Sequence, residues 1–76
     1  MDYEGEVATI WRQVLAVEVA PASDINFFDA GGSSLTLLRM RLLLNERFHI
    51  EVRGVDLFRY TTIEKQASLV STLCSK

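Results

Sequence analysis

Cysteine is almost absent from this 76-residue chain. Cys74 stands alone, so there is no pair for an internal disulfide and no cysteine cluster to hold a metal ion. Lying on the apolar stripe of the last predicted helix, it reads as a small hydrophobe rather than a reactive thiol. Histidine is as scarce, with His49 only, and no spacing links it to a serine and an acid such as Asp29 in the manner of a hydrolytic triad. Lysine is confined to Lys65 and Lys76, neither in the presented, β-rich setting that lipoyl or biotinyl carriage requires. No apolar run approaches the roughly 20 residues that cross a bilayer. The first residues, MDYEGEV, are acidic where a secretory signal is basic. The expectation is a monomer in the cytoplasm, away from membranes. Positive charge is also missing in excess: the formal net charge is −2, which gives no polybasic surface for nucleic acid.

What is present fits one small domain over residues 1–76. About half the residues are hydrophobic (49%) and a quarter charged (24%), ordinary for a soluble globular chain. The length allows a modest core but no enclosed, water-excluding substrate pocket, so the domain is expected not to be an enzyme.

The apolar periodicity is helical throughout. Val7, Ile10, Trp11, Val14 and Leu15 form one face of a helix over Tyr3–Ala16, with Asp2, Glu4 and Glu6 near its positive end. Residues 17–32 hold Pro21, Ser23, Asp24 and two glycines without a sustained period, and predict a long loop pinned by Ile25, Phe27 and Phe28. A second helix over Ser34–Arg47 carries two apolar faces. Leu37, Met40, Leu44 and Phe48 suit a core, whereas Leu35, Leu38 and Leu42 lie on roughly the opposite side, beside Arg39 and Glu46. That second face has the mixture expected of a docking surface. After a loop at His49–Gly54 come a short helix over Val55–Arg59 and a last helix over Thr62–Leu73, started by a Thr61–Glu64 capping box and buried along Ile63, Ala67, Val70 and Cys74. The fold expected is all-α: a small helical bundle of three main helices and one short one, with a long loop between the first two. A helix-turn-helix DNA reader, supported by Arg39, Arg41 and Arg47, conflicts with the negative charge and with leucines where base-reading polar side chains belong.

The segment NFFDAGGSSL, Asn26–Leu35, is the densest in chemistry. Gly31 and Gly32 allow a sharp turn. Ser33 and Ser34 then fall at a helix start, where serine is a favoured cap and unpaired N–H groups face any attached anion. This pattern, two aromatics followed by Gly-Gly-x-Ser-Leu, resembles the carrier-protein domains of nonribosomal peptide, polyketide and fatty acid synthases. Ile10, Trp11, Val14 and Leu15 resemble that family's first helix, Ile25–Phe28 its pre-motif segment, and Asp56–Ile63, DLFRYTTI, its third helix and the start of its fourth. Thr61 departs from the proline common in relatives.

The resemblance implies that Ser34, directly before the leucine, carries 4′-phosphopantetheine in a phosphodiester bond, placed there by a phosphopantetheinyl transferase from coenzyme A. It further implies a non-catalytic shuttle of thioester-bound aminoacyl, peptidyl or acyl groups. Its partners would be adenylation, condensation, acyltransferase, ketosynthase or thioesterase-type enzymes of a natural-product pathway. The surface expected to meet them is Leu35, Leu38, Arg39 and Leu42 with Arg53 and Val55. A net-positive second helix, with Arg39, Arg41 and Arg47 against Glu46, is unlike discrete fatty acid carriers, while the paired phenylalanines and Gly-Gly-x-Ser-Leu resemble peptidyl carriers most, with polyketide carriers similar. The alternative reading is an unmodified helical interaction module with a carrier-like fold.

Overall fold

In the computed structural model, which describes residues 2–75, helix α1 spans Tyr3–Leu15. Met1 and Lys76, the second of the two lysines, lie outside the described residues. Asp2 starts α1 by accepting a hydrogen bond from the Gly5 N–H at 3.0 Å. Helix α2 spans Ser34–Phe48, α3 Gly54–Arg59 and α4 Ile63–Cys74. Each boundary lies within one residue of the sequence expectation, and no strand occurs among the described residues. Ala16 and His49 end α1 and α2 in the left-handed conformation, each with its N–H on a carbonyl of the last turn. Such a terminus usually falls to glycine, which is why composition gave no sign of it.

α1 packs against both α4 and α2, and α3 packs against α2. The expected stripes form the core: Val7, Ile10, Trp11 and Val14 from α1, Leu37, Met40, Leu44 and Phe48 from α2, Ile63, Ala67 and Val70 from α4. Leu15 and Cys74 are only partly buried against it. Gln66 joins the core, although its residue type predicts a surface. Its Oε1 accepts from Trp11 Nε1 at 2.8 Å and its Nε2 donates to the Tyr60 carbonyl at 2.9 Å. A buried amide with both ends paired avoids the penalty of an orphaned polar group, and it ties α1, the end of α3 and α4 together.

Two expectations change. The cap of α4 is Thr62, whose hydroxyl accepts from the Lys65 N–H, and not Thr61. Thr61 is occupied elsewhere: its carbonyl accepts from the Phe27 N–H at 2.7 Å and its hydroxyl from Asn26 Nδ2 at 3.0 Å. With the Glu64 N–H bonded to the Ser23 carbonyl, these contacts hang the long loop on the α3–α4 connection. The loop is therefore pinned largely by backbone bonds. Of the three residues expected to pin it, only Phe27 is buried, edge-on to Trp11 at 5.0 Å, while Ile25 and Phe28 are exposed.

Candidate functional site

The approach to α2 is shaped by two glycines that are needed for different reasons. Gly31 has φ +104°, a conformation that side chains resist, although open space surrounds its β position. At Gly32 the backbone is ordinary, but a β-carbon would run into the ring of Phe27. Backbone bonds from Ala30 to Asn26, from Gly31 to Phe28 and from Gly32 to Phe27 close the turn.

The two serines that follow have different fates. Ser33 is the N-cap, in extended conformation, and its hydroxyl accepts from the Thr36 N–H at 3.2 Å. Thr36 Oγ1 accepts in return from the Ser33 N–H at 2.8 Å and donates to the Ser33 carbonyl at 3.0 Å. This capping box commits Ser33 to the helix. Ser34 is the first residue inside the helix; it is exposed, and its hydroxyl makes no hydrogen bond to the described residues. The N–H groups of Ser34 and Leu35 also find no partner among those residues, and the first turn contains no acidic side chain. A phosphoryl group on Ser34 would thus meet unpaired donors and the unopposed positive end of a 15-residue helix, so the residues present fit such a group.

Nucleophilic hydrolysis does not fit. His49 is the C-cap of the helix that Ser34 begins, which separates them by roughly 20 Å at 1.5 Å per residue. His49 instead borders a groove of about 400 Å³ between α1 and the far end of α2, walled by Glu6, Thr9, Leu43, Glu46 and Arg47.

Leu35, Leu38 and Leu42 are 71%, 46% and 62% exposed, so the second apolar face of α2 is left uncovered. Leu38 reaches the start of α3: its Cδ2 lies 3.8 Å from a β position built on Gly54. Arg53 and Val55, both exposed, flank Gly54 in sequence at that contact. Arg53 is engaged with Asp56 at 3.3 Å, though its side chain remains largely in solvent. The hydrogen bond from Arg53 holds the Asp56 carboxyl below its ordinary range. The three arginines of α2 separate: Arg47 pairs with Glu6 at 2.7 Å, Arg41 Nε donates to the Val52 carbonyl at 2.8 Å, and Arg39 is exposed with no partner among the described residues.

Phe58, half-exposed on α3, carries no periodic signal in the sequence, and Phe28, expected to pin the long loop to the helices, is exposed beside it. The two rings stack with centroids 6.1 Å apart. The signal available was the doublet: Phe27–Phe28 and Leu57–Phe58 are adjacent pairs, and one member of each is buried while the other faces out.

Residues 5–70 match the family described as "phosphopantetheine attachment site". Surfactin synthase subunit 1 of Bacillus subtilis is 39% identical over 69 residues, covering 91% of this chain and 2% of that protein. Hybrid polyketide–nonribosomal peptide synthetases are also among the relatives, and the chain spans only 2–5% of the first curated relatives it matches. The solution structure of an active-site mutant peptidyl carrier protein superposes with a TM-score of 0.89 at 28% identity, over 97% of this chain and 81% of that one. The peptidyl carrier protein solved with the phosphopantetheine transferase Sfp and coenzyme A gives 0.85 at 30% identity, over 95% and 92%. This chain belongs to the phosphopantetheine-attachment family, the non-catalytic carrier domains of nonribosomal peptide and polyketide synthases, whose covalent group is 4′-phosphopantetheine.

Proposed function

We propose that Ser34 is the attachment residue and that the domain shuttles thioester-bound aminoacyl, peptidyl or acyl intermediates between enzymes of a natural-product pathway. The observation that carries the assignment is the difference between neighbours: the Ser33 hydroxyl is held in the capping box, and the Ser34 hydroxyl is exposed and unengaged among the described residues. In the transfer, the Ser34 oxygen bonds the pantetheine-side phosphorus of coenzyme A, the P–O bond to adenosine 3′,5′-bisphosphate breaks, and the hydroxyl proton passes to the transferase. The chain needs no base of its own. When bound, the group supplies a terminal thiol on a flexible arm, which presents a thioester to each enzyme at high effective concentration.

The protein's part is orientation and docking. The first turn of α2 anchors the root of the arm with its free N–H groups. Leu35, Leu38 and Leu42, joined by Arg53 and Val55 from the adjoining segment and by the Phe28–Phe58 stack, form the apolar surface nearest that root, with Arg39 at its rim. Phosphopantetheinyl transferase, adenylation, condensation, acyltransferase, ketosynthase and thioesterase-type domains are the partners this surface serves. Similarity to peptidyl carrier structures favours aminoacyl or peptidyl cargo.

The test is intact mass after incubation with coenzyme A and a broad-specificity transferase, followed by peptide mapping. One added phosphopantetheine, mapped to Ser34 and lost in Ser34→Ala, is the expected result. A wild-type chain that stays unmodified under conditions that load a peptidyl carrier would favour the unmodified interaction module instead.

A further inference from the structure

The turn before α2 delivers two serines in succession, both exposed, and either could cap the helix. A cap serine spends its hydroxyl as an acceptor for the N–H three residues on. With Ser33 as cap, that N–H belongs to Thr36. If the helix began one residue later, Ser34 would become the cap and its hydroxyl would be drawn onto the Leu37 N–H. The two registers differ in what the third residue gives back. Thr36 returns two hydrogen bonds to the Ser33 backbone, at 2.8 and 3.0 Å. Leucine has no polar atom with which to do so.

Resting on the Ser34 assignment above, we propose that Ser33 and Thr36 are positioning residues that fix the capping register of α2 and thereby leave the Ser34 hydroxyl available for modification. Ser33 acts through the helix and never touches the transferred group. Removing its hydroxyl makes Ser34 the best remaining cap, so the attacking oxygen is diverted into the helix while the docking leucines further along α2 stay in place. The defect therefore falls on kcat and not on KM. A carboxylate at position 33 can accept the same N–H, so aspartate restores the register.

Steady-state loading by a broad-specificity transferase, read by mass, tests this with Ser33→Ala, Ser33→Asp and Thr36→Val. Ser33→Ala is expected to lose about fivefold in kcat with KM changed less than twofold, a factor set by the usual worth of one cap. Thr36→Val is expected to lose less, and Ser33→Asp to load like wild type. Ala67→Gly, which weakens α4 far from this turn, controls for stability: it lowers the melting temperature and leaves kcat unchanged. Loading of Ser33→Ala at the wild-type kcat, or of Ser33→Asp as slowly as Ser33→Ala, overturns the proposal while leaving Ser34 as the attachment residue. A wild type that maps to Ser33, or accepts no group at all, removes the Ser34 assignment and this proposal with it.

Discussion

The ring of Phe27 occupies the space that a β-carbon on Gly32 would need. Phe27 is fully buried and set edge-on against Trp11, so the ring has little room to swing aside. A core contact between the long loop and α1 thus dictates which residue can stand two positions before Ser34.

Gly32→Ala is expected to destabilise the fold by about 1–3 kcal/mol through overpacking. Gly31→Ala is expected to cost a similar amount, about 1–3 kcal/mol, through backbone strain. Double-mutant cycles with Phe27→Leu separate the causes. Gly32→Ala should couple to Phe27→Leu by more than about 0.5 kcal/mol, and Gly31→Ala should simply add. Equal coupling in both cycles would refute the distinction.

The two faces of α2 should respond oppositely to truncation. Leu44 is fully buried, and Leu44→Ala is expected to cost about 2–5 kcal/mol. Leu42 is exposed, and Leu42→Ala should stay within about 0.5 kcal/mol of wild type in denaturant melts. Its effect belongs instead in transfer to a partner enzyme.

Arg39 is the exposed arginine of α2 without a partner among the described residues, so reversing its charge should leave folding intact. Arg39→Glu is expected to slow transfer to a cognate enzyme at low salt, and the loss should shrink as ionic strength rises. Arg41→Glu should behave differently, lowering the melting temperature, because Arg41 holds the Val52 carbonyl beside α3. If Arg39→Glu transfers as fast as wild type at low salt, Arg39 is not at the docking rim.

The start of α3 should loosen in acid. Asp56 accepts from the Arg53 guanidinium and backbone N–H, and its pKa lies below the ordinary value of 3.8. Because the folded pKa is lowered, this contribution is fully present above about pH 4 and is lost as pH falls through the lowered value. Amide hydrogen exchange in α3, taken relative to the intrinsic rate at each pH, should therefore become faster below pH 4 in the wild type. In Asp56→Asn it should already be faster at neutral pH and add no carboxylate transition of its own.

The sequence by itself determined the four helices, because the 3.6-residue period of Val7, Ile10, Trp11 and Val14, or of Leu37, Met40, Leu44 and Phe48, is a local property that survives without neighbours. It also determined the chemical neighbourhood of the site, since a Gly-Gly turn ahead of serines at a helix start is legible from residue types alone. Tertiary structure decided the choices between near-equals. Thr62 caps α4 because Thr61 is taken by Asn26 and Phe27, residues distant in sequence. Phe27 goes in and Phe28 out because Trp11 offers space for one ring and Phe58 a surface partner for the other. Gln66 is buried because Trp11 Nε1 and the Tyr60 carbonyl both require a partner there. In each case composition permits two outcomes of similar local energy, and a contact across the fold, worth more than the local difference, selects one.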